Sequence, residues 1–364
     1  MYGLPRDQWE EINLNKRLIA QISRCLPGRS RLKLCGLPSG VISIADAGDA
    51  VAALETRGEE GLYRVPRGWV WPRGAHLDEQ ARIVDEISPG VNRPSAWWFV
   101  RQQKFFPRII DCPGTIFSMI GDGAKNLYHW TFDLLPRLRM LDAARRGQVR
   151  LLVRLQYPFQ QACLEAAGFS SASIIPAEPT TLYRTEDLLA ASVIKGITPD
   201  NLACAREIYL KLIASVPEAR TAVRLYISRA KATSRKIANE AELEEGLRRR
   251  GFRIAFFEEL SLAEQVALVS QAEIIVSPHG AAWTLAVAAR PGTPVIEILP
   301  AGLETEAPSS YYLYRNLSRE ARLDYHAHHG EVVLHKSDTQ RAHENDIHVS
   351  VAQLLGEIDD CLRR

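Results

Sequence analysis

Apolar positions are most regular from Val223 to Leu299, where short apolar runs alternate with segments of helical spacing. The pattern predicts strands at 223–227, 252–257, 274–276 and 294–299, separated by helices at 239–250, 262–271 and 281–289. Strands and helices in strict alternation, joined by short loops, form right-handed βαβ units in a parallel sheet. These strands are apolar almost throughout, as strands covered on both faces are. Sheets of this kind bind ligands beyond the carboxyl ends of their strands, where Ser228, Glu258, Ser277 and Pro300 fall.

The first half is less periodic. Helical spacing runs over 9–25, and 31–37 and 40–44 read as strands. Residues 61–71 and 94–100 are rich in aromatics, glycine and proline, which predicts short strands and turns. Trp97-Trp98-Phe99 reads as a strand in a mixed core, ahead of a membrane or sugar contact. Two strands, 105–111 and 114–120, are expected to join at Cys112-Pro113-Gly114. A helix over 125–146 follows, which Pro136 should kink. Then come a strand at 150–155, a helix at 157–167 ended by Gly168, strands at 173–175, 182–184 and 188–193, and a helix at 199–216. The polar stretch 217–221 marks the expected boundary between an N-terminal domain, 1–216, and a C-terminal domain, 217–330. The tail, 331–364, ends in a helix over 346–362 that packs back.

Composition narrows the class. A chain of 364 residues with 46% hydrophobic and 24% charged residues can build two ordinary cores. A net charge of +2 argues against a general nucleic-acid binder. The run Arg248-Arg249-Arg250 reads as the solvated end of a helix. Cys25, Cys35, Cys112, Cys163, Cys204 and Cys361 show no close pairing, which fits reduced thiols in a cytoplasmic protein. No secretory signal or stretch of membrane-spanning length is read, so Asn316-Leu317-Ser318 is set aside as a glycosylation sequon. His326, His328, His329 and His335 lack the ligand spacing of a metal site, and no metal is expected.

Three constellations carry candidate chemistry. Ser277-Pro278-His279-Gly280-Ala281 ends one strand and opens a helix, where unpaired N–H groups and the helix dipole favour an anion. The loop 228–236 holds Arg229, Lys231, Arg235 and Lys236 at another strand end. It is either a diphosphate clamp or a solvated charged loop. Glu297, inside the apolar run 295–299, needs partners: ribose hydroxyls, or a cation of the basic loop. In the first half, His129 and Asp133 share one helix face, with Asn126 adjoining and Arg137 extending the stripe. Either His129 or Asp133 could act as a general base towards a hydroxyl, the bland reading being a polar helix face.

These residues resemble family-61 glycosyltransferases. The resemblance rests on Tyr226-Ile227-Ser228-Arg229, Arg235, Asn239-Glu240, Ser277-Pro278-His279-Gly280-Ala281, Val295-Ile296-Glu297-Ile298 and Pro300. It is joined by Asn126, His129-Trp130, Asp133 and Pro136-Arg137-Leu138, so that it covers about residues 115–300. It implies an α/β fold of GT-B architecture, two Rossmann-like domains facing across a cleft. It also implies an inverting, metal-independent glycosyltransferase moving a sugar from a nucleotide sugar, usually a UDP-sugar, to a glycan or lipid-linked acceptor. No cofactor is implied beyond that co-substrate. Carried over, Arg229, Arg235, His279, Gly280 and Ala281 would hold the diphosphate and Glu297 the ribose. His129 and Asp133 would face the acceptor, with Asn126 and Arg137 beside them. Trp283 departs from the family pattern and would reshape the donor pocket. The resemblance further implies cell-surface polysaccharide assembly by a cytoplasmic enzyme in peripheral contact with the inner face of the membrane. A nucleotide-sugar epimerase or hydrolase of the same fold, and a non-catalytic assembly scaffold, are the alternatives.

Overall fold

A computed structural model of the chain describes residues 40–57, 60–72, 74–88, 108–121, 123–192, 194, 196–214, 216, 222–333 and 344–363. The helix expected at 9–25, the strand at 31–37 and the Trp97-Trp98-Phe99 segment lie outside them. The chain forms two compact units. One is built from residues up to 125 with 136–157 and 169–195, the other from 126–135, 158–168 and 196–364. The units do not part at the polar stretch 217–221. The helix Pro199–Leu212 buries Leu202, Ala205, Ile208 and Tyr209 and packs on the helical segments Leu262–Ser270 and Ala281–Ala288 of the second unit. Arg206 fixes this contact by donating to the carbonyls of Val287 (3.0 Å) and Ala289 (2.9 Å).

The second unit contains the expected parallel sheet. Its strands are β11 (Val223–Ile227), β12 (Phe252–Ala255), β13 (Ala272–Pro278), β14 (Pro294–Pro300), β15 (Asp324–Val333) and β16 (Asp346–His348), in the order β12-β11-β13-β14-β15-β16. All pairings are parallel except β15 with β16. Strand β15 carries His326, His328 and His329 and was not visible in the apolar spacing. The terminal element is a short strand followed by the helix Val351–Arg363, rather than one helix over 346–362. That helix lays Leu354 and Ile358 against Leu243, Leu247, Ile274 and Ile296. It is clamped by Arg250 bonding both oxygens of Asp359, at 2.8 and 2.7 Å.

The first unit is a mixed sheet, not a doubly wound parallel one. Ten strands take part: β1 (Gly40–Ile42), β2 (Ala52–Arg57), β3 (Glu60–Pro66), β4 (Trp69–Trp71), β5 (Ala75–Leu77), β6 (Arg82–Val84), β7 (Arg108–Ser118), β8 (Arg150–Val153), β9 (Ile174–Pro176) and β10 (Thr181–Ala191). Strand β10 lies parallel to β7 on one side and antiparallel to β3 and β4 on the other. The expected break at Cys112-Pro113-Gly114 lies inside β7, and 182–184 and 188–193 belong to one strand, β10. Register slips between Thr185 and Asp187, where the bulge absorbs the proline. Gly114 takes φ +76° there, and its N–H is accepted by the Glu186 carboxylate at 2.7 Å.

The helix expected over 125–146 is broken into pieces. An α turn at Leu127–His129 widens into a π turn at Trp130–Leu134 and tightens to 3₁₀ at Leu135–Met140. A further α turn, Ala143–Arg146, closes the segment. Pro136 has no N–H for the ladder and would clash with the carbonyl four residues back, which is why regular helix stops before it.

One buried histidine gives the first unit a pH-dependent stability. His76 on β5 has Nε2 2.6 Å from Ser118 Oγ and is 1% exposed. Burial, and then the Arg137 guanidinium, push its imidazole down from 6.5 to about 3. Because the folded value lies below the unfolded one, the stability it contributes is complete above pH 6.5 and is lost as pH falls towards 3. Replacing His76 by Gln is expected to remove about 1.4 kcal/mol of pH dependence per pH unit in that window. Urea unfolding of both proteins at pH 7, 6, 5 and 4 measures this, and parallel stability curves would contradict it.

Candidate functional site

The carboxyl end of β11 is organised by a buried carboxylate. Glu240 Oε1 accepts from Tyr226 Oη (2.9 Å) and Ser228 Oγ (2.6 Å), and burial raises its proton affinity. Ser228 Oγ in turn accepts the Ala230 N–H at 3.1 Å, which turns the chain out of the strand. The basic loop that follows divides its cations. Lys231 pairs with Glu259 and lies 4.7 Å over the Phe256 ring. Arg229 and Arg235 turn inward, and Arg229 Nη2 is anchored on the Ser234 carbonyl at 3.0 Å.

Among the described residues the Nε atoms of both arginines are buried without a hydrogen-bond partner, and neither guanidinium forms an ion pair. Burial lowers both, and the nearby Arg235 lowers Arg229 further, to about 10. Arg235 sits at φ +58°, in the left-handed region. A side chain there costs about 1–3 kcal/mol, and such strain concentrates at functional sites.

The His279-Gly280 turn meets this pair. A Cβ at position 280 would collide with the Arg229 guanidinium, so any other residue there would displace that side chain. The His279 N–H donates to Ile298 O at 2.9 Å, and its Nδ1 lies 2.6 Å from Glu297 Oε1. Tyr325 Oη donates to Glu297 Oε2 at 2.8 Å. Glu297 is fully buried, and its observed partners are His279 and Tyr325, not a cation of the basic loop. Trp283, expected to shape the ligand pocket, is a core residue at 1% exposure. Its Nε1 donates to the Pro278 carbonyl at 3.2 Å, fastening the helical segment to the strand end.

In the same unit, the π turn carries the other constellation. His129 Nδ1 lies 2.7 Å from Asp133 Oδ2, and the Gly196 N–H donates to Asp133 Oδ1 at 3.2 Å. Asn126 caps the turn, its Oδ1 accepting the Tyr128 N–H at 2.8 Å. Arg137 does not extend the stripe. It belongs to the first unit, is 2% exposed, and donates to Ile120 O at 2.8 Å. Helical spacing past Pro136 no longer holds, so the one-face argument ends at Asp133.

Tyr314 ties the two constellations together, and sequence reasoning assigned it no role. It is 3% exposed on the helix Leu313–Glu320. Its ring centroid lies 5.3 Å from His279 and 6.5 Å from Tyr128, which is itself 5.3 Å from His129. The available signal was the spacing of Tyr314, Leu317 and Ser318, which places all three on the buried face of that helix. The β15 histidines are otherwise engaged: His326 with Asp324, His328 with Glu357, and His329 against the Tyr311 ring. Among the described residues no cluster of metal-ligating side chains occurs. No helix among them is long and apolar enough to cross a membrane. A surface cleft of about 660 Å³ on the first unit is lined by Arg67, Glu79, Asp111 and Arg184, which pair with one another.

A parallel sheet whose strand ends carry two partly desolvated arginines, a glycine turn and a buried His–Glu pair has the chemistry that suits an anion. Residues 127–296 match the sequence model of the family Glycosyltransferase 61, which supports glycosyltransferase family 61 and a glycosyltransferase activity for this chain. No curated protein matches the chain. Among solved structures it is similar to the dodecameric iron-containing heptosyltransferase TibC in complex with ADP-D-beta-D-heptose. That likeness has 13% identity, covers 90% of this chain and 98% of that one, and scores a TM of 0.36. It is also similar to TibC from enterotoxigenic E. coli H10407, at 13% identity over 72% of this chain and 80% of that one, with a TM-score of 0.31. Likenesses this distant bear on no argument below.

Gly280→Ala tests the close approach. The added methyl meets the far end of a flexible side chain, so melting temperature should move by no more than about 3 °C. Displacing Arg229 should nevertheless abolish most of any thermal stabilisation that a nucleoside diphosphate such as UDP confers. UDP stabilisation unchanged in the variant would show that Arg229 and Gly280 do not share a site with the nucleotide.

Proposed function

We propose that the chain is an inverting, metal-independent glycosyltransferase that uses a nucleotide sugar, most simply a UDP-sugar. The observation that carries the proposal is the pair of partly desolvated guanidiniums of Arg229 and Arg235, which form no ion pair among the described residues, beside the His279-Gly280 turn. A dianionic diphosphate offsets both charges and supplies the acceptors that the guanidiniums lack. Ala281 opens the helical segment whose first N–H groups add to the same field. No metal is needed to neutralise the leaving group in this scheme, because the fixed cations and N–H groups do so.

His129 serves as the general base in this reading, and Asp133 orients it. With its Nδ1–H donated to Asp133, the imidazole is in the tautomer whose lone pair sits on Nε2. The acceptor hydroxyl gives its proton to Nε2 as its oxygen attacks the anomeric carbon from the face opposite the diphosphate. The bond from the anomeric carbon to the diphosphate oxygen breaks, and the electron pair leaves with the nucleoside diphosphate. Positive charge spreads over the sugar ring oxygen at the crossing point, as in other glycosyl transfers. Glu297 acts through His279, holding its ring, in place of the ribose role that the family resemblance suggests. The acceptor is a glycan or a lipid-linked hydroxyl, in cell-surface polysaccharide assembly at the cytoplasmic face of a membrane.

Arg229→Ala is expected to weaken UDP binding by ~1.5–3 kcal/mol, on the order of ten- to a hundredfold, and to slow turnover at saturating donor. Calorimetry and a UDP-release assay measure the two, and unchanged turnover would remove Arg229 from the leaving-group site. His129→Ala and Asp133→Asn should cut transfer by a hundredfold or more, on the order of a lost general base, while UDP affinity stays within about threefold. Loss of UDP binding in either variant would place the pair at the donor instead. Release of UDP at full rate without acceptor would favour a hydrolase or epimerase.

A further inference from the structure

We infer that Tyr314 is a further ligand of the donor diphosphate, its phenol O–H joining Arg229, Arg235 and His279. The inference deepens the donor-site reading and rests on it. Tyr314 comes from the helix Leu313–Glu320, beyond the region 127–296 that matches the family. Its ring packs 5.3 Å from the His279 ring at an interplanar angle of 54°. Residues from four segments interact with it: the turn at 279, the basic loop, strand β14 through Glu297, and the α turn through Tyr128.

The charges that face it decide what its hydroxyl can do. Arg229 and Arg235 both feel the Tyr314 phenol, and Glu297 feels it from the other side. Burial first, and then Glu297, raise its proton affinity, while a hydrogen bond from Thr284, and then Arg235, oppose them; accepting from Thr284 leaves the phenol its own O–H to donate. The phenol therefore stays protonated through the working range and remains an O–H donor. A neutral donor that interacts electrostatically with two cations and a carboxylate suits a phosphate oxygen. It adds a directed hydrogen bond without adding a third charge to a pair that already repels.

Tyr314→Phe removes the hydroxyl and keeps the ring against His279 and Tyr128. UDP affinity, measured by calorimetry on the full chain, should fall about tenfold, as for a hydrogen bond to a charged group. Uridine, which lacks the phosphates, should bind both proteins alike by ligand-observed NMR. A ring-positioning role alone would leave UDP affinity untouched, and that result would overturn the inference. An equal loss for UDP and uridine would also overturn it, because the hydroxyl would then act on the nucleoside or on the fold. Arg229→Ala separates this from the donor-site reading. UDP binding lost in Arg229→Ala and retained in Tyr314→Phe rejects Tyr314 alone. UDP binding retained in both rejects the donor site as well.

Discussion

Two guanidinium groups held side by side, partly out of water, are the constraint on which the second unit depends. Like charges so placed repel, and desolvation adds to the cost, which is why Arg229 holds its proton less tightly than a solvated arginine. The loop that carries them has to be pinned from outside. At its start, Tyr226 and Ser228 converge on Glu240. At its end, the Lys236 N–H donates to Asp346 at 2.9 Å, and Ile237 bridges to Ile347. The far strand β16 and the terminal helix therefore serve the site at a distance, by holding one end of the basic loop.

Two acids of the site are committed elsewhere. Glu240 faces two hydroxyls, and Glu297 divides its oxygens between His279 and Tyr325. Lys231, by contrast, has Glu259. A carboxylate on either inward arginine would satisfy it locally and leave nothing to attract an anion. Strand order makes the arrangement natural. With β11, β13 and β14 adjacent and parallel, their carboxyl ends bring Arg229, His279 and Glu297 into one row.

The parallel sheet of the second unit was legible because each strand is a short apolar run between helical spacings, and its ligand-bearing ends followed. The first unit was read less well. Its strands pair across mixed directions, and a bulge opposite Pro113-Gly114 makes one strand look like two. The domain boundary was misleading for a similar reason. A polar stretch in the sequence says nothing of packing, whereas the contacts of Leu202, Ala205 and Ile208 decide to which core the preceding helix belongs. The i,i+4 pairing of His129 with Asp133 was found correctly, but the same rule carried one turn further put Arg137 on a stripe it does not join. The histidine that looked exposed to a ligand has a buried carboxylate behind it, and nothing in the spacing of His279 and Glu297 announces that. Register across β13 and β14 creates the contact. Tyr314 was hidden because its partners come from four separate segments.

The same device occurs twice in the second unit, in two environments. His129–Asp133 and His279–Glu297 are both imidazoles with Nδ1 against a carboxylate, at 2.7 and 2.6 Å. The first pair keeps side-chain exposures of 45% and 19%, the second only 6% and 0%. An exposed imidazole on an irregular turn can meet a partner that arrives from solvent, and it can exchange a proton with it. A buried imidazole fixed between two strands serves better as a rigid donor to something that always binds in one place. Tyr128 and Tyr314 link the two by edge-on and tilted ring contacts, so a shift of either ring is felt along the chain of contacts from one histidine to the other.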